Sequence, residues 1–275
     1  MVKMTKYVYP LLLVMFLGAA FFTGCNHHIQ GFFAATDLDI RLKEKNNFTF
    51  LNRDNAPPLS LTDEYAFLIV ADTHIYNGKT WGLENLKNVI DNNVKFIVVI
   101  GDITHRGSAR DLRKFIAIAD SFAVPVYPVI GNHDIDFGWS EWKNLIGSSK
   151  YRIDGDGTTL FFLDSANAFL GRDQLNWLQR ELKTARERVF VFSQANIFVE
   201  HPLNAQQLTC TKERARLTSI LRNRADAMFM GHVHRRILRD VGGVRYITIE
   251  DFRNHRTYLR VSVTKTGITY TFGSL

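Results

Sequence analysis

Four stretches of this chain place acidic, imidazole or carboxamide side chains directly after short apolar runs. Such groups are costly to bury and contribute little to packing, so their recurrence at the ends of apolar segments indicates a site. Carboxylate oxygens and imidazole nitrogens are ligands for Zn, Mn, Fe or Ni, and one aspartate can bridge two cations. The stretches are ADTH with Asp72 and His74, GDITHRG with Asp102, GNHD with Asn132, His133 and Asp134, and GHVH with His232 and His234.

The apolar runs before these stretches are typical of parallel strands. From residue 65 onward they alternate with segments of helical periodicity, which predicts strands joined by crossover helices. Open α/β sheets bind ligands at the carboxyl ends of such strands. The predicted strands are YAFLIVA, KFIVVI, VPVYPVI, TTLFFLD, RVFVFS and AMFM, followed by an antiparallel end formed by VRYITIE, TYLRVSV and GITYTF. The predicted helices are LENLKNVIDNN, ARDLRKFIAIADSF, RDQLNWLQRELKTA and KERARLTSILRNR.

The succession of D-x-H, GD, GNHD and GHxH resembles the calcineurin-like metallophosphoesterase superfamily. The resemblance covers nearly all of the predicted domain. It implies a four-layer α/β/β/α sandwich with two divalent metal ions, Mn, Fe, Zn or Ni, at the strand ends. It also implies hydrolysis of a phosphomonoester or phosphodiester by water that the two ions activate.

The resemblance further implies a role for each residue of the four stretches. The metal ligands would be Asp72, His74 and His234 for one ion, Asn132 and His232 for the other, and Asp102 as the bridge. His133 would stabilise or protonate the leaving oxygen, and Asp134 would orient His133. Arg106 resembles an arginine that contacts the substrate phosphate; a surface cation at a helix start is the alternative.

One further metal ligand is expected on the strand before GHxH, where the resemblance requires a histidine. The strand VFVFS ends at Ser193 and continues into QANIF, so an ungapped alignment puts Gln194 at the ligand position. A short insertion would instead bring His201, in EHPL, to that position. We favour His201, because a histidine outcompetes a carboxamide for these metals and loop insertions cost little.

The N-terminal segment is typical of an export signal. MVKMTK supplies positive charge, YPLLLVMFLGAAFF is apolar, and TGC follows. Cys25 after Gly24 resembles a bacterial lipobox, which predicts a lipidated, membrane-anchored protein outside the cytoplasm, on the outer side of the cytoplasmic membrane or in the periplasm or outer membrane. A conventionally cleaved signal or an uncleaved anchor helix are the alternatives. Once Cys25 carries lipid, an intramolecular disulfide is impossible, because Cys210 is the only other cysteine.

Composition places the chain among ordinary globular proteins. Of 275 residues, 46% are hydrophobic and 22% are charged, which allows a substantial core. We expect a signal peptide over residues 1–25, a tether and lead-in over 26–61, and one domain over 62–275. The net charge of +7 fits attraction to phosphate esters or an anionic membrane. The basic residues are scattered, so a nucleic-acid partner is not expected.

Two further functions stay open beside the phosphoesterase hypothesis. A catalytically silent lipoprotein could keep the sandwich for binding or assembly. Gln194, at a position where the resemblance requires a histidine, favours this function. A nuclease of the same superfamily fits the basic charge but not the export signal.

Overall fold

Two β-sheets face each other in the computed structural model of this chain. The structure describes residues 38–43, 50, 59, 61, 64–136, 139–198, 207–208 and 210–275. Its strands are β1 (Tyr65–Ala71), β2 (Val94–Ile100), β3 (Val126–Val129), β4 (Tyr151–Asp154), β5 (Thr158–Leu163), β6 (Arg188–Ser193), β7 (Ala227–Met230), β8 (Ile237–Val241), β9 (Val244–Thr248), β10 (Thr257–Thr264) and β11 (Gly267–Ser274). The first sheet has the order β11-β10-β1-β2-β3, and the second has the order β4-β5-β6-β7-β9-β8.

Helices cover the outer faces of both sheets. The α-helices are α1 (Leu38–Lys43), α2 (Ala109–Ala119), α3 (Ser140–Leu145), α4 (Arg172–Glu181), α5 (Thr211–Leu221) and α6 (Phe252–His255). Short 3₁₀ turns occupy Leu83–Val89, His133–Ile135 and Leu182–Thr184. Helix α2 illustrates why these segments are helical. Ser108 caps its first turn by accepting from Asp111 N, and apolar side chains recur at helical spacing on its buried face.

Three apolar clusters hold the layers together. Strand β1 is buried along its whole length, and its side chains alternate between two of them. Phe67 and Ile69 enter the cluster between the sheets, whereas Leu68 and Val70 pack with α2 and α3. The third cluster joins the second sheet to α4 and α5. The predicted four-layer α/β/β/α sandwich is therefore confirmed.

Stacked phenylalanines fill the space between the sheets. The Phe67 and Phe96 ring centroids lie 4.5 Å apart, and Phe162 and Phe192 stack at 4.9 Å. Phe67 from the first sheet also meets Phe190 of the second edge-on at 5.1 Å. Such aromatic pairs stabilise beyond the area they bury. They fix the distance between the two sheets, and hence between the loops that follow their strands.

Some local structure differs from the sequence prediction. The segment predicted as a helix before β2 is only the 3₁₀ turn Leu83–Val89. The Asp91 side chain accepts from the backbone N–H groups of Asn93 and Val94, and this turn leads directly into β2. The hairpin partner β4 and the exposed strand β8 were not predicted, because neither is a continuous apolar run.

Part of the segment predicted as a tether packs on the domain. Arg41 of α1 is fully buried and donates to both carboxylate oxygens of Asp164, at 2.7 and 2.8 Å, and to Asn167 Oδ1 at 2.5 Å. Leu38 of the same helix is also buried. Residues three apart share one helix face, so a single turn of α1 presents both side chains to the loop after β5.

The predicted signal peptide and the lipidation residue Cys25 lie outside the described residues and stay predictions. Cys210, the residue directly before α5, is buried. Among the residues described, no helix is long and apolar enough to cross a membrane.

We expect the Arg41–Asp164 pair to contribute strongly to stability. Arg41→Ala leaves a buried carboxylate without its cation, and this should lower the free energy of unfolding by about 3–5 kcal/mol. Urea denaturation followed by circular dichroism measures the change. The control is Asp240→Ala, which removes the exposed pair with Arg245 and should cost about 1 kcal/mol or less. Equal effects of both substitutions would contradict the assignment.

Candidate metal centre

The polar side chains predicted from the sequence meet at one edge of the sandwich. Strands β1, β2 and β3 run parallel, as do β6 and β7, so their carboxyl ends lie on the same side. The five residues Asp72, His74, Asp102, His232 and His234 have positive φ angles of 54°, 43°, 44°, 71° and 53°. Non-glycine residues rarely adopt this conformation, and its recurrence marks a site where function outweighs local strain.

Asp72, His74 and His234 form the first ligand group. One ligand atom from each lies within 4.8 Å of the others. Asp72 is fully buried and accepts from the His232 backbone N–H at 2.8 Å and from Gln194 Nε2 at 2.8 Å. The His234 side chain is 40% exposed, and its Nε2 lies 3.8 Å from Asp72 Oδ1. The group is therefore open to solvent on the His234 side.

Asp102 lies between two histidines that come from different sheets. Its Oδ2 is 3.9 Å from His74 Nε2 and 4.0 Å from His232 Nδ1. Its Oδ1 accepts from the His133 backbone N–H at 2.9 Å. One oxygen is thus fixed by the protein, while the other faces both imidazoles.

Two amide oxygens, those of Asn132 and Gln194, are buried without a hydrogen-bond partner in the described part of the chain. Gln194 is 1% exposed, and its Nε2 lies 3.4 Å from His232 Nδ1. The structure therefore brings Gln194, the ungapped alternative, into the site. His201, which the sequence favoured, lies outside the described residues and stays a prediction.

The charges of the centre favour bound cations. Burial, and then the nearby Asp102, raise the pKa of Asp72 well above its usual range, and burial also raises the pKa of Asp102. Burial lowers the pKa of His74 to about 2, so its imidazole is neutral. Two buried carboxylates beside imidazoles, of which that of His74 is neutral, and unpaired amide oxygens are a donor set that fits divalent metal ions.

His133 is oriented as an acid by its neighbours. Its Nδ1 lies 2.9 Å from the His105 carbonyl oxygen and 3.2 Å from Asp136 Oδ2. The hydrogen bond to Asp136 is the main cause that raises the pKa of His133 to about 9. Nε2 is left as the nitrogen available to a bound molecule. Asp136 was not assigned from the sequence, although its position three residues after His133 could have indicated the pair.

Asp134 ties two loops together, and the hydrogen bonds it accepts come from residues other than His133. It is fully buried and accepts from Gly131 N, Ile103 N, and both the backbone N–H and hydroxyl of Thr104. Burial raises its pKa to about 7. Since Asp136 and a carbonyl hold His133, Asp134 positions the GD and GNHD stretches relative to each other.

Further residues border the centre. His105 stacks on His133 with 5.3 Å between ring centroids, and with His74 these residues form a second group of convergent imidazoles. Arg106 is exposed beside His105. Trp81 was missed by the sequence reasoning; its Nε1 donates to the His74 carbonyl at 3.0 Å. No motif marks Trp81, because the contact depends on how the loop folds back.

Buried carboxylates and imidazoles at the strand ends of a double-sheet sandwich define an α/β protein with a candidate metal centre. Residues 65–236 match the family model described as Calcineurin-like phosphoesterase, and the chain belongs to this family. Membership confirms the superfamily predicted from the four stretches and supports phosphoesterase activity.

Similar proteins agree with this placement. A curated protein of Fibrobacter succinogenes, named a probable cyclic nucleotide phosphodiesterase, is 36% identical over 117 residues, which cover 40% of this chain and 43% of that protein. The chain thus matches under half of that relative's length. A dimetal phosphatase from Danio rerio has a TM-score of 0.61 at 17% identity, covering 76% of this chain and 95% of that chain.

Purple acid phosphatase PPD1 from yellow lupin has a TM-score of 0.64 at 12% identity, covering 80% of this chain and 53% of that chain. At these identities, the two structural matches show that the fold is shared.

Gly131 should be required for the position of Asp102. A Cβ at residue 131 would lie 2.1 Å from Asp102 N and 2.3 Å from Asp102 Oδ1. Gly131→Ala should therefore displace Asp102, cost about 1–3 kcal/mol of stability, and weaken binding of Mn²⁺ measured by calorimetry. In Gly157→Ala the added Cβ meets no described atom within 4 Å, so this control should bind Mn²⁺ normally. Unchanged binding by Gly131→Ala would contradict the geometry.

Proposed function

We propose that this chain hydrolyses a phosphate ester at a centre of two divalent metal ions. The observation that carries the proposal is the position of Asp102 Oδ2, 3.9 Å from His74 Nε2 and 4.0 Å from His232 Nδ1. A carboxylate oxygen between imidazoles of two different ligand groups suits a bridging role, because one aspartate can bind two cations.

Each ion would have its own set of donors. The first would be held by Asp72, His74 and His234, and the second by Asn132, Gln194 and His232. Gln194 is preferred to His201 here because its amide is already buried beside His232. To bind an ion through Oε1, the amide must turn from the orientation in which Nε2 donates to Asp72. Oxygen donors at this position favour a harder ion such as Mn²⁺ over Zn²⁺.

The protein's own groups supply orientation and a proton. When bound, the ions would neutralise phosphate oxygens and lower the pKa of a water molecule for attack on phosphorus. His133, held as a cation by Asp136, would donate its Nε2 proton to the leaving oxygen. Asp134 would keep the loops that carry Asp102 and His133 in register through its four accepted hydrogen bonds.

A nucleotide phosphodiester is the first substrate class to consider. The Fibrobacter succinogenes relative is named for cyclic nucleotides, and in-line attack of water on the phosphorus of a cyclic diester would break one of its two ester bonds and leave a monoester. Exposed Arg106 would contact a phosphate oxygen of such a substrate. We retain the proposal of an exported protein whose lipid on Cys25 anchors it to a membrane.

His133→Gln should separate chemistry from folding. With Mn²⁺, the purified protein should hydrolyse bis(4-nitrophenyl) phosphate and cyclic nucleotides, and chelation should abolish this activity. His133→Gln removes the proton donor and should lower kcat for cyclic nucleotides, whose alkoxide leaving group needs a proton, by about 10²–10⁴-fold, while bound Mn²⁺ stays unchanged. Steady-state kinetics and elemental analysis measure both quantities. The exposed variant Asp240→Asn is the control, and full activity of His133→Gln would refute the assignment.

A catalytically silent binding protein is the second candidate. Gln194 favours it, because in the structure the amide hydrogen-bonds Asp72 and so can replace an ion at the second position. This candidate predicts binding of the first ion alone and no hydrolysis of either ester.

Substitution of Gln194 should test the second position directly. Gln194→Ala should lose the second ion in equilibrium dialysis against Mn²⁺, since a carboxamide oxygen is removed from its donors. Gln194→His should still bind both ions. It should shift the metal selectivity of the second position toward Zn²⁺, because imidazole suits Zn²⁺.

The matched variant is His201→Ala, which should keep both ions. Loss of an ion from His201→Ala but not from Gln194→Ala would assign the position to His201.

A further inference from the structure

Asp251 is a buried carboxylate beside the centre that has no role in the function proposed so far. It is 1% exposed and lies beyond the residues that match the family model. Its backbone forms a parallel bridge with Ala71, the residue directly before Asp72. The Arg253 backbone N–H also donates to the Asp72 carbonyl at 3.4 Å. The start of α6 is therefore fixed against the loop that carries the first ligand.

The two oxygens of Asp251 serve different neighbours. Oδ2 caps α6 by accepting from Asn254 N at 3.1 Å and from Asn254 Nδ2 at 2.6 Å. Oδ1 accepts from His255 Nδ1 at 2.9 Å and lies 3.9 Å from His234 Nδ1. Helix capping accounts for one oxygen only, and the other lies between two imidazoles.

His234 depends on polar partners for its orientation. Its side chain is 40% exposed and meets the His74 ring edge-on at 5.6 Å between centroids, so packing constrains the ring on one side only. Nε2 lies 3.8 Å from Asp72 Oδ1, and Nδ1 lies 3.9 Å from Asp251 Oδ1. The imidazole thus lies between two buried carboxylates, one on the side of the centre and one behind it.

We propose that Asp251 is a positioning residue that orients His234 for metal binding. Its carboxylate attracts the Nδ1–H group, which sets the tautomer and leaves the Nε2 lone pair directed at the first ion. Histidine ligands commonly donate their second nitrogen to a carboxylate in this way, and loss of the carboxylate typically costs 10–100-fold in metal affinity. The 3.9 Å separation exceeds a hydrogen bond, so a small movement of His234 on binding an ion would be needed to form one. This inference rests on the proposed metal centre.

Variants of Asp251 can separate orientation of His234 from capping of α6. Asp251→Ser keeps a good N-cap residue, but its side chain is too short to reach His234. Asp251→Asn keeps the cap and the length but removes the charge. Asn254→Ala removes the side-chain partner of Oδ2, and His255→Ala removes the competitor for Oδ1; both leave the carboxylate facing His234.

The readout is binding of Mn²⁺ to the purified full chain by calorimetry, with the visible spectrum of bound Co²⁺ as a report on ligand geometry. Asp251→Ser should bind the first Mn²⁺ about 10–100-fold more weakly and change the Co²⁺ spectrum, with Asp251→Asn intermediate. Asn254→Ala and His255→Ala should bind no more weakly than the native chain, and melting temperatures show that all variants are folded.

Two results would overturn the inference alone: native affinity in Asp251→Ser, or equal weakening in Asn254→Ala. Failure of the native chain to bind Mn²⁺ would overturn the proposed function and the inference together.

Discussion

The structure depends on holding Asp72 and Asp102 close together in a space from which water is excluded. Both carboxylates are buried, and burial together with the nearby Asp102 raises the pKa of Asp72. Backbone N–H groups of His232 and His133 stabilise one oxygen of each. Hydrogen bonds offset only part of the desolvation of two like charges, so the arrangement favours occupation by cations. This constraint explains why side chains that can bind cations line the pair, namely the imidazoles of His74, His232 and His234 and the amide of Gln194.

The scaffold that holds this arrangement consists of strand ends and the loops that link them. The phenylalanine layer fixes the separation of the sheets, and Asp134 joins two of the loops through backbone N–H groups. Left-handed backbone conformations at the ligand residues cost of order 1–3 kcal/mol each. They persist because the surrounding hydrogen bonds and the packed strands stabilise this conformation of the loops.

The two ends of the centre differ in exposure and in donor chemistry. His234 and His133 are partly exposed, so substrate would approach from their side. Gln194 and Asp102 are buried on the opposite side, where an amide stands in place of an imidazole. In the proposed donor set, Asn132 and Gln194 therefore supply oxygen atoms at that position, beside the nitrogen of His232. In the proposed two-ion centre, this asymmetry would give the two positions unequal affinities, because ligand type governs selectivity among divalent metals.

The sequence by itself determined the fold class and most of the residues that meet at the candidate centre. Apolar runs alternating with helical periodicity specified a parallel sheet, and each D-x-H, GD, GNHD or GHxH stretch follows a strand end, where topology brings the residues together. Only the tertiary structure decided that Gln194 enters the centre, that Asp136 holds His133, that Asp134 ties loops together, and that Arg41 is buried against Asp164. These contacts join side chains across loops or across more than a hundred residues of chain. Periodicity reports which face of an element is buried, but not which distant side chain it meets.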